Sequence, residues 1–294
     1  MQKITPELWF DRDVLQAAEF YVSTFPNSRL LSRYQLHDTP SGTVEVVNFD
    51  LMGLEFNAFG DGSQFKFNPS VSFLVTLKVK DEVDSLWEKL LPGGQVLMEL
   101  GEYPFSGRYG WVQDKYGISW QLLFSTEPGS TQEINPVVMF VGALTGKAEE
   151  AINFWTSLFP QSTIHEIHRY GKNEEPDKPG TIKHASFSLS GQKFRVMDSA
   201  YEHVFSVYES ISFVISCSNQ AEIDYYWNRL SAVPEAEACG WLKDKFGVSW
   251  QVVPRRLNEM LLSGDRKKMD QVTQALLLMK KLEIVRLEEA FSSR

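Results

Sequence analysis

The run Trp-Val-Gln-Asp-Lys-Tyr-Gly-Ile-Ser-Trp-Gln-Leu-Leu, starting at Trp111, returns as Trp-Leu-Lys-Asp-Lys-Phe-Gly-Val-Ser-Trp-Gln-Val-Val, starting at Trp241. A period this long exceeds the roughly 20–50 residues of a solenoid repeat and reads as duplication of a whole folding unit. The match extends well beyond this run: Phe25-Pro26-Asn27-Ser28 corresponds to Phe159-Pro160-Gln161-Ser162, and Ser72-Phe73 to Ser212-Phe213. The offset is 134 at Phe25, 140 at Ser72 and 130 at Trp111, so the second copy gains residues early and loses others late. Such changes belong in loops, and the polar stretch Gly171 to Gly180, with its two prolines, is the expected insertion. A length of 294 residues suits two domains, taken as 1–127 and 134–254, followed by a segment of different character, 255–294.

Each copy shows one order of periodicities twice over. A short extended run, Glu7 to Phe10, precedes a helix with the apolar stripe Val14, Ala18, Tyr21 and Phe25; the second copy repeats it as Ala148, Ile152, Trp155 and Phe159. The proline after the last aromatic stops the helix. Strands are predicted at Leu30 to Leu36, Thr43 to Leu51 and Leu54 to Phe59, with Gly53, like Gly191, in a hairpin turn. The order then restarts: a strand at Val71 to Leu77, a helix carrying Val83, Leu86, Trp87 and Leu90, and strands at Gln95 to Glu99, Arg108 to Gln113 and Ile118 to Phe124. Four strand-helix-strand-strand-strand units per chain follow. After Pro254 only helical spacing remains (Met269, Val272, Leu276, Met279, Leu282), which predicts a tail of two helices, starting a helix near Ser263-Gly264-Asp265 and covering a sheet or a neighbouring domain.

Composition narrows the partners. A net charge of -9 leaves no basic stripe to neutralise phosphates, which argues against nucleic acid and anionic membrane surfaces. No basic region followed by an apolar run opens the chain, and no later stretch approaches the length of a spanning helix, so a cytoplasmic protein is expected. Two cysteines, Cys217 and Cys239, suit a reducing compartment.

The paired units, the Phe-Tyr-x-x-x-Phe-Pro-Asn-Ser helix end and the Gly-Trp-x-x-Asp-Lys-x-Gly-x-Ser-Trp-Gln signature resemble the vicinal oxygen chelate (glyoxalase/bleomycin-resistance) superfamily. Within it they are similar to the PhnB-like branch, whose members are often labelled demethylubiquinone methyltransferases. The resemblance covers Ile4 to Phe124 and Ile134 to Val253. It implies an α+β fold of two tandem domains, each pairing two units around one cavity, with helices on the outer faces and a C-terminal helical tail. It also implies where a divalent ion would be held: Thr5, Ser70 and Gln121 in the first copy, and Asn135, Ser210 and Gln251 in the second. None is His, Cys, Asp or Glu, and displacing the alignment brings in only Glu7, so no metal and no other cofactor is expected in either cavity.

Other residues carry candidate chemistry. His165 and His168 lie on a strand and point to opposite faces, which is no metal motif. Alternation around Phe187 and Leu189 turns His184 toward the cavity as the one candidate general base, against the commoner fate of a structural histidine. Cys239 reads as a small buried thiol, and Arg195 as a surface charge that could also clamp a carboxylate. Trp120 and Trp250 fall opposite Gln121 and Gln251 and so belong in the core, whereas Trp9 shares the cavity face with Thr5 and Glu7. The ligand-binding candidates are therefore Glu7, Trp9, Gln121, His184 and Gln251. They suit a small, largely apolar or aromatic molecule bound without metal. Methyl transfer is set aside because no glycine-rich nucleotide loop is present. A metal-independent lyase or isomerase, and a homodimerisation platform, are the alternatives.

Overall fold

The computed structural model describes residues 2–62, 66–127, 131–205 and 210–293. The first unit comprises β1 (Ile4–Phe10), α1 (Val14–Thr24), β2 (Arg29–Thr39), β3 (Gly42–Leu51) and β4 (Leu54–Gly60). The second comprises β5 (Val71–Leu77), α2 (Lys80–Leu90), β6 (Gln95–Tyr103), β7 (Ser106–Gln113) and β8 (Ser119–Phe124). The third comprises β9 (Glu133–Phe140), α3 (Ala148–Leu158), β10 (Thr163–Arg169), β11 (Ile182–Leu189) and β12 (Gln192–Asp198). The fourth is shorter, with β13 (Ile211–Cys217), α4 (Gln220–Leu230), β14 (Trp241–Lys243) and β15 (Ser249–Pro254). In the β3–β4 and β11–β12 hairpins the turn pairs Met52-Gly53 and Ser190-Gly191 all have positive φ (53° and 92°, 49° and 83°), the geometry of the two-residue turn that matches strand twist.

The units pair across the duplication, not within it. Sheet A has the order β14-β15-β13-β1-β4-β3-β2 and joins the first unit to the fourth through antiparallel β1 and β13. Sheet B has the order β10-β11-β12-β9-β5-β8-β7-β6 and joins the second unit to the third through β5 and β9. The expectation that each copy encloses its own cavity is thus corrected: both copies contribute to both sheets. A helix packs on one face of each unit's strands, and all four share one core that also joins the sheets, for example through Phe56 and Phe73 at 5.0 Å and Phe194 and Phe213 at 5.3 Å. The apolar stripe drives this: Val14, Ala18, Tyr21, Ile152 and Trp155 are buried, as are Trp120 and Trp250 beneath the helices.

The signature repeated in both copies is a core device. Asp244 is fully buried; its Oδ1 accepts from the backbone N–H of Phe246 (2.9 Å) and Val248 (3.0 Å), and its Oδ2 from the indoles of Trp155 (2.8 Å) and Trp250 (3.0 Å). Asp114 holds Tyr116, Ile118 and the Trp120 indole in the same way. In the second copy one carboxylate therefore fixes the turn before the last strand and pins the first helix of the copy to it.

Two further expectations change. Among the described residues the fourth unit has no strand corresponding to β6, because the residues lost by the second copy are those of that strand. Among the described residues the tail holds three helices, not two: α5 (Arg255–Leu261), α6 (Arg266–Leu277) and α7 (Ile284–Ser292), with Asp265 capping α6 through the Lys268 N–H. Cys239 N–H donates to Met279 O and Gly240 N–H to Lys280 O, both at 2.8 Å, so the tail occupies backbone groups at the β14 end of sheet A. At the other end α6 lies on β2, and Gln274 donates to Asp38 O. Between these points Leu257, Met260, Leu261, Val272, Met279, Leu282 and Leu287 form an apolar cluster against Tyr34, Leu36 and Val253. The tail covers the face of sheet A turned away from its helices.

Candidate functional site

Both sheets carry a row of side chains on the face opposite the helices, and register places the two rows in equivalent positions. In sheet A, Glu7 on β1 lies beside Asn57 on β4 and Ser212 on β13, and Gln251 on β15 donates to Ser212 Oγ at 3.0 Å. In sheet B, Val137 on β9 lies beside Arg195 on β12 and Ser72 on β5, and Gln121 on β8 donates to Ser72 Oγ at 2.9 Å. One row carries an acid where the other carries an aliphatic residue, and an amide where the other carries a guanidinium.

The sheet A row is closed upon itself. Gln251 donates to Glu7 Oε1 and Asn57 donates to Oε2 at 3.3 Å. Trp9 stands near Phe59 (4.9 Å) and Trp241 (5.3 Å), and its indole donates to Asp61 at 2.5 Å. Glu7, Trp9 and Gln251 are thus brought together, beneath a sheet face that the tail covers. Burial raises the Glu7 carboxyl above its ordinary value, outweighing the two amide donors that lower it. A folded-state value raised in this way stabilises the fold below the unfolded value, and that contribution is lost as pH rises through the folded value. Glu7→Gln should therefore gain stability relative to the native chain as pH rises from about 4, the ordinary carboxyl range, toward neutrality. Urea titrations across that range check it; a difference that stays flat or shrinks contradicts it.

The sheet B row is more open. Gln121 Oε1 accepts from the Tyr109 hydroxyl at 2.9 Å, and the Trp111 indole donates to Ser119 Oγ at 2.7 Å. Leu74, Tyr109 and Val137 form a small apolar cluster with the half-buried Met98, Tyr103, Trp111, Leu123 and Met197. Tyr103 and Phe105, from the β6–β7 hairpin, stand over Tyr109 at 5.7 and 5.1 Å, and Phe105 is 57% exposed. Arg195 departs from its reading as a surface charge: its side chain is 23% exposed, it contacts Glu166 only at 3.6 Å, and its buried Nε has no hydrogen-bond partner among the described residues. Alternation hid this, because Phe194 and Val196 are the core residues of that strand and leave Arg195 on the inner face. His184 lies on the same face, its pKa lowered to about 4 by burial first, then by the nearby His168 and Arg195 charges. Cys239 is half-buried, with burial raising its thiol pKa, which does not favour a nucleophile.

Neither row fits the divalent ion that the sequence resemblance implies. Sheet A offers one carboxylate whose two oxygens already accept amide hydrogens. Sheet B offers a hydroxyl, an amide, an aliphatic side chain and a cation, with no carboxylate, imidazole or thiolate among them.

Comparison with known proteins places these sheets in context. The family model described as 3-demethylubiquinone-9 3-methyltransferase matches twice, over residues 2–123 and 132–253. The PhnB protein from Bacillus cereus is 36% identical, with a TM-score of 0.40; the match covers 42% of this chain and 100% of that one. Glyoxalase I from Zea mays shares the fold at 13% identity and a TM-score of 0.52, covering 89% of this chain and 95% of that one. A point mutant of the same maize enzyme gives 11% identity and a TM-score of 0.53, covering 86% and 94%. No match was found among curated proteins. Among the described residues no helix is long and apolar enough to cross a membrane. With both repeats matched almost end to end, the chain belongs to the 3-demethylubiquinone-9 3-methyltransferase family, in tandem form.

Proposed function

We propose that this chain is a cytoplasmic binding protein for a small aromatic or apolar molecule bearing an acidic group, held on the inner face of sheet B without a metal in the central row. The observation that carries the reading is Arg195, a largely buried guanidinium whose Nε finds no partner among the described residues, set in one row with Gln121. A guanidinium so placed suits a carboxylate, because its donors are directional and a charge-assisted hydrogen bond gains strength out of water. Tyr103, Phe105, Tyr109 and Trp111 supply aromatic surface for the ligand body, Gln121 a further polar contact, and His184 a neutral imidazole at the side. Glu7, Trp9 and Gln251 serve sheet A, where the tail stands in place of a ligand.

Calorimetric titration of the full chain with benzoate, salicylate and indole-3-acetate tests this. At least one should bind, and Arg195→Ala should weaken it by about 10–150-fold, the loss of a hydrogen bond to a charged group worth about 1.5–3 kcal/mol. Silence toward all three acids, or binding that ignores the Arg195 substitution, overturns the reading. Turnover of a bound acid would favour the lyase or isomerase alternative, with His184 as the base to remove first.

A further inference from the structure

Away from the central row, the β10–β11 edge of sheet B gathers a different chemistry. The antiparallel register sets His168 opposite His184 and Glu166 opposite Ser186. The imidazoles stack with centroids 4.2 Å apart, and Glu166 Oε2 lies 3.5 Å from His168 Nε2. One donor atom from each of Glu166, His168 and His184 falls within 4.8 Å of the other two. Two imidazoles and a carboxylate are the ligands that zinc and its neighbours in the transition series select, in contrast to the hydroxyl and amide of the central row.

Two details point to a bound ion. His184 Nδ1 is buried and has no hydrogen-bond partner among the described residues, and a buried ring nitrogen left that way is costly. Glu166 is held on one side only: Ser186 Oγ donates to Oε1 at 3.1 Å and Arg195 approaches the same oxygen, leaving Oε2 toward His168. Outer partners of this kind orient a carboxylate for a metal.

We propose that Glu166, His168 and His184 form a binding site for one divalent transition-metal ion, zinc being the best fit, with the remaining position open to water or to a ligand on the inner face of sheet B. The site is centred on strands β10 and β11, beside the central row; it shares His184 and the neighbouring Arg195 with the acid-binding reading but is tested by metal uptake alone. Tetrahedral zinc with bonds of about 2.0–2.2 Å draws its ligand atoms to about 3.4 Å apart. The approach needed is a side-chain rotation, since the His168 and Glu166 side chains are 55% and 42% exposed.

Equilibrium dialysis and calorimetry of the metal-stripped full chain against zinc chloride provide the test, with thermal melts confirming that each variant is folded. The native chain should bind one zinc per chain. His168→Ala and Glu166→Gln should each weaken it by about tenfold or more, since losing a ligand costs at least what losing an outer partner does. Cys239→Ser should leave it unchanged. Cobalt(II) in place of zinc should give visible absorption bands that His168→Ala abolishes. Failure of the native chain to take up stoichiometric zinc overturns the assignment, as does affinity undiminished in folded His168→Ala or lost instead in Cys239→Ser.

Discussion

Asp244→Ala should be among the most damaging single substitutions in this chain, lowering unfolding free energy by about 4 kcal/mol or more. The carboxylate is fully buried and serves four donors, two backbone N–H groups and the indoles of Trp155 and Trp250. Alanine leaves all four without an acceptor, at about 1–3 kcal/mol for each one that water does not reach. Against a typical total of about 5–15 kcal/mol, such a loss threatens the fold itself. Asp244→Asn should fall between, because one oxygen remains for the turn while the new amide hydrogens face donors. Urea denaturation followed by tryptophan fluorescence measures both. An alanine variant within about 1 kcal/mol of the native chain would show that the turn and the helix are held by packing alone.

Ending the chain after Pro254 should produce the second large effect. The tail buries Leu257, Met260, Leu261, Val272, Met279, Leu282 and Leu287 together with Tyr34, Leu36 and Val253, and it also accepts hydrogens from Cys239 and Gly240. A fully buried side chain of this kind is worth about 1.5–3 kcal/mol, so the shortened chain loses stability and gains an exposed apolar sheet face. Strong binding of an anilinonaphthalene dye and an early, concentration-dependent peak in size-exclusion chromatography are the expected signs. A smaller version is Leu282→Ala, which removes a side chain with no solvent exposure and should cost about 2–5 kcal/mol without uncovering the sheet. A shortened chain that melts with the native one and ignores the dye would mean that the tail is not the cover of sheet A.

The elements themselves were legible in the sequence because they rest on local physics. Alternation marked the strands to within a few residues, the 3.6-residue stripe marked α1 to α4, and the duplication let each assignment be checked against a second copy. Pairing between units was not legible, since β1 reads the same whether its neighbour is β5 or β13. The shorter offset of the second copy reads as a loop change in the sequence, whereas it removes a strand of the fourth unit, and nothing in the sequence marks the tail's occupation of backbone groups next to the gap. Of the ligand candidates, Glu7, Trp9 and Gln251 converge on sheet A, and Gln121 and His184 share sheet B with Arg195. Sequence sets His168 beside His165, its neighbour along the chain, whereas its neighbour in space is His184 on the next strand. Pro254 and Asp265 located the tail's punctuation, while the short α5 lies below the length at which periodicity is readable.

The crosswise pairing of the four units also bears on how such a chain can change over generations. Neither repeat can decay into a spare part, because dropping one would strip strands from both sheets at once. Divergence is instead free to act sheet by sheet, on the two ends of the chain for one sheet and on its middle for the other. Glu7 in one row, where the other has Val137, and Arg195 in that other, where the first has Asn57, are what such a history leaves behind: two opposite charges, far apart in sequence, on adjoining strands of mirrored rows.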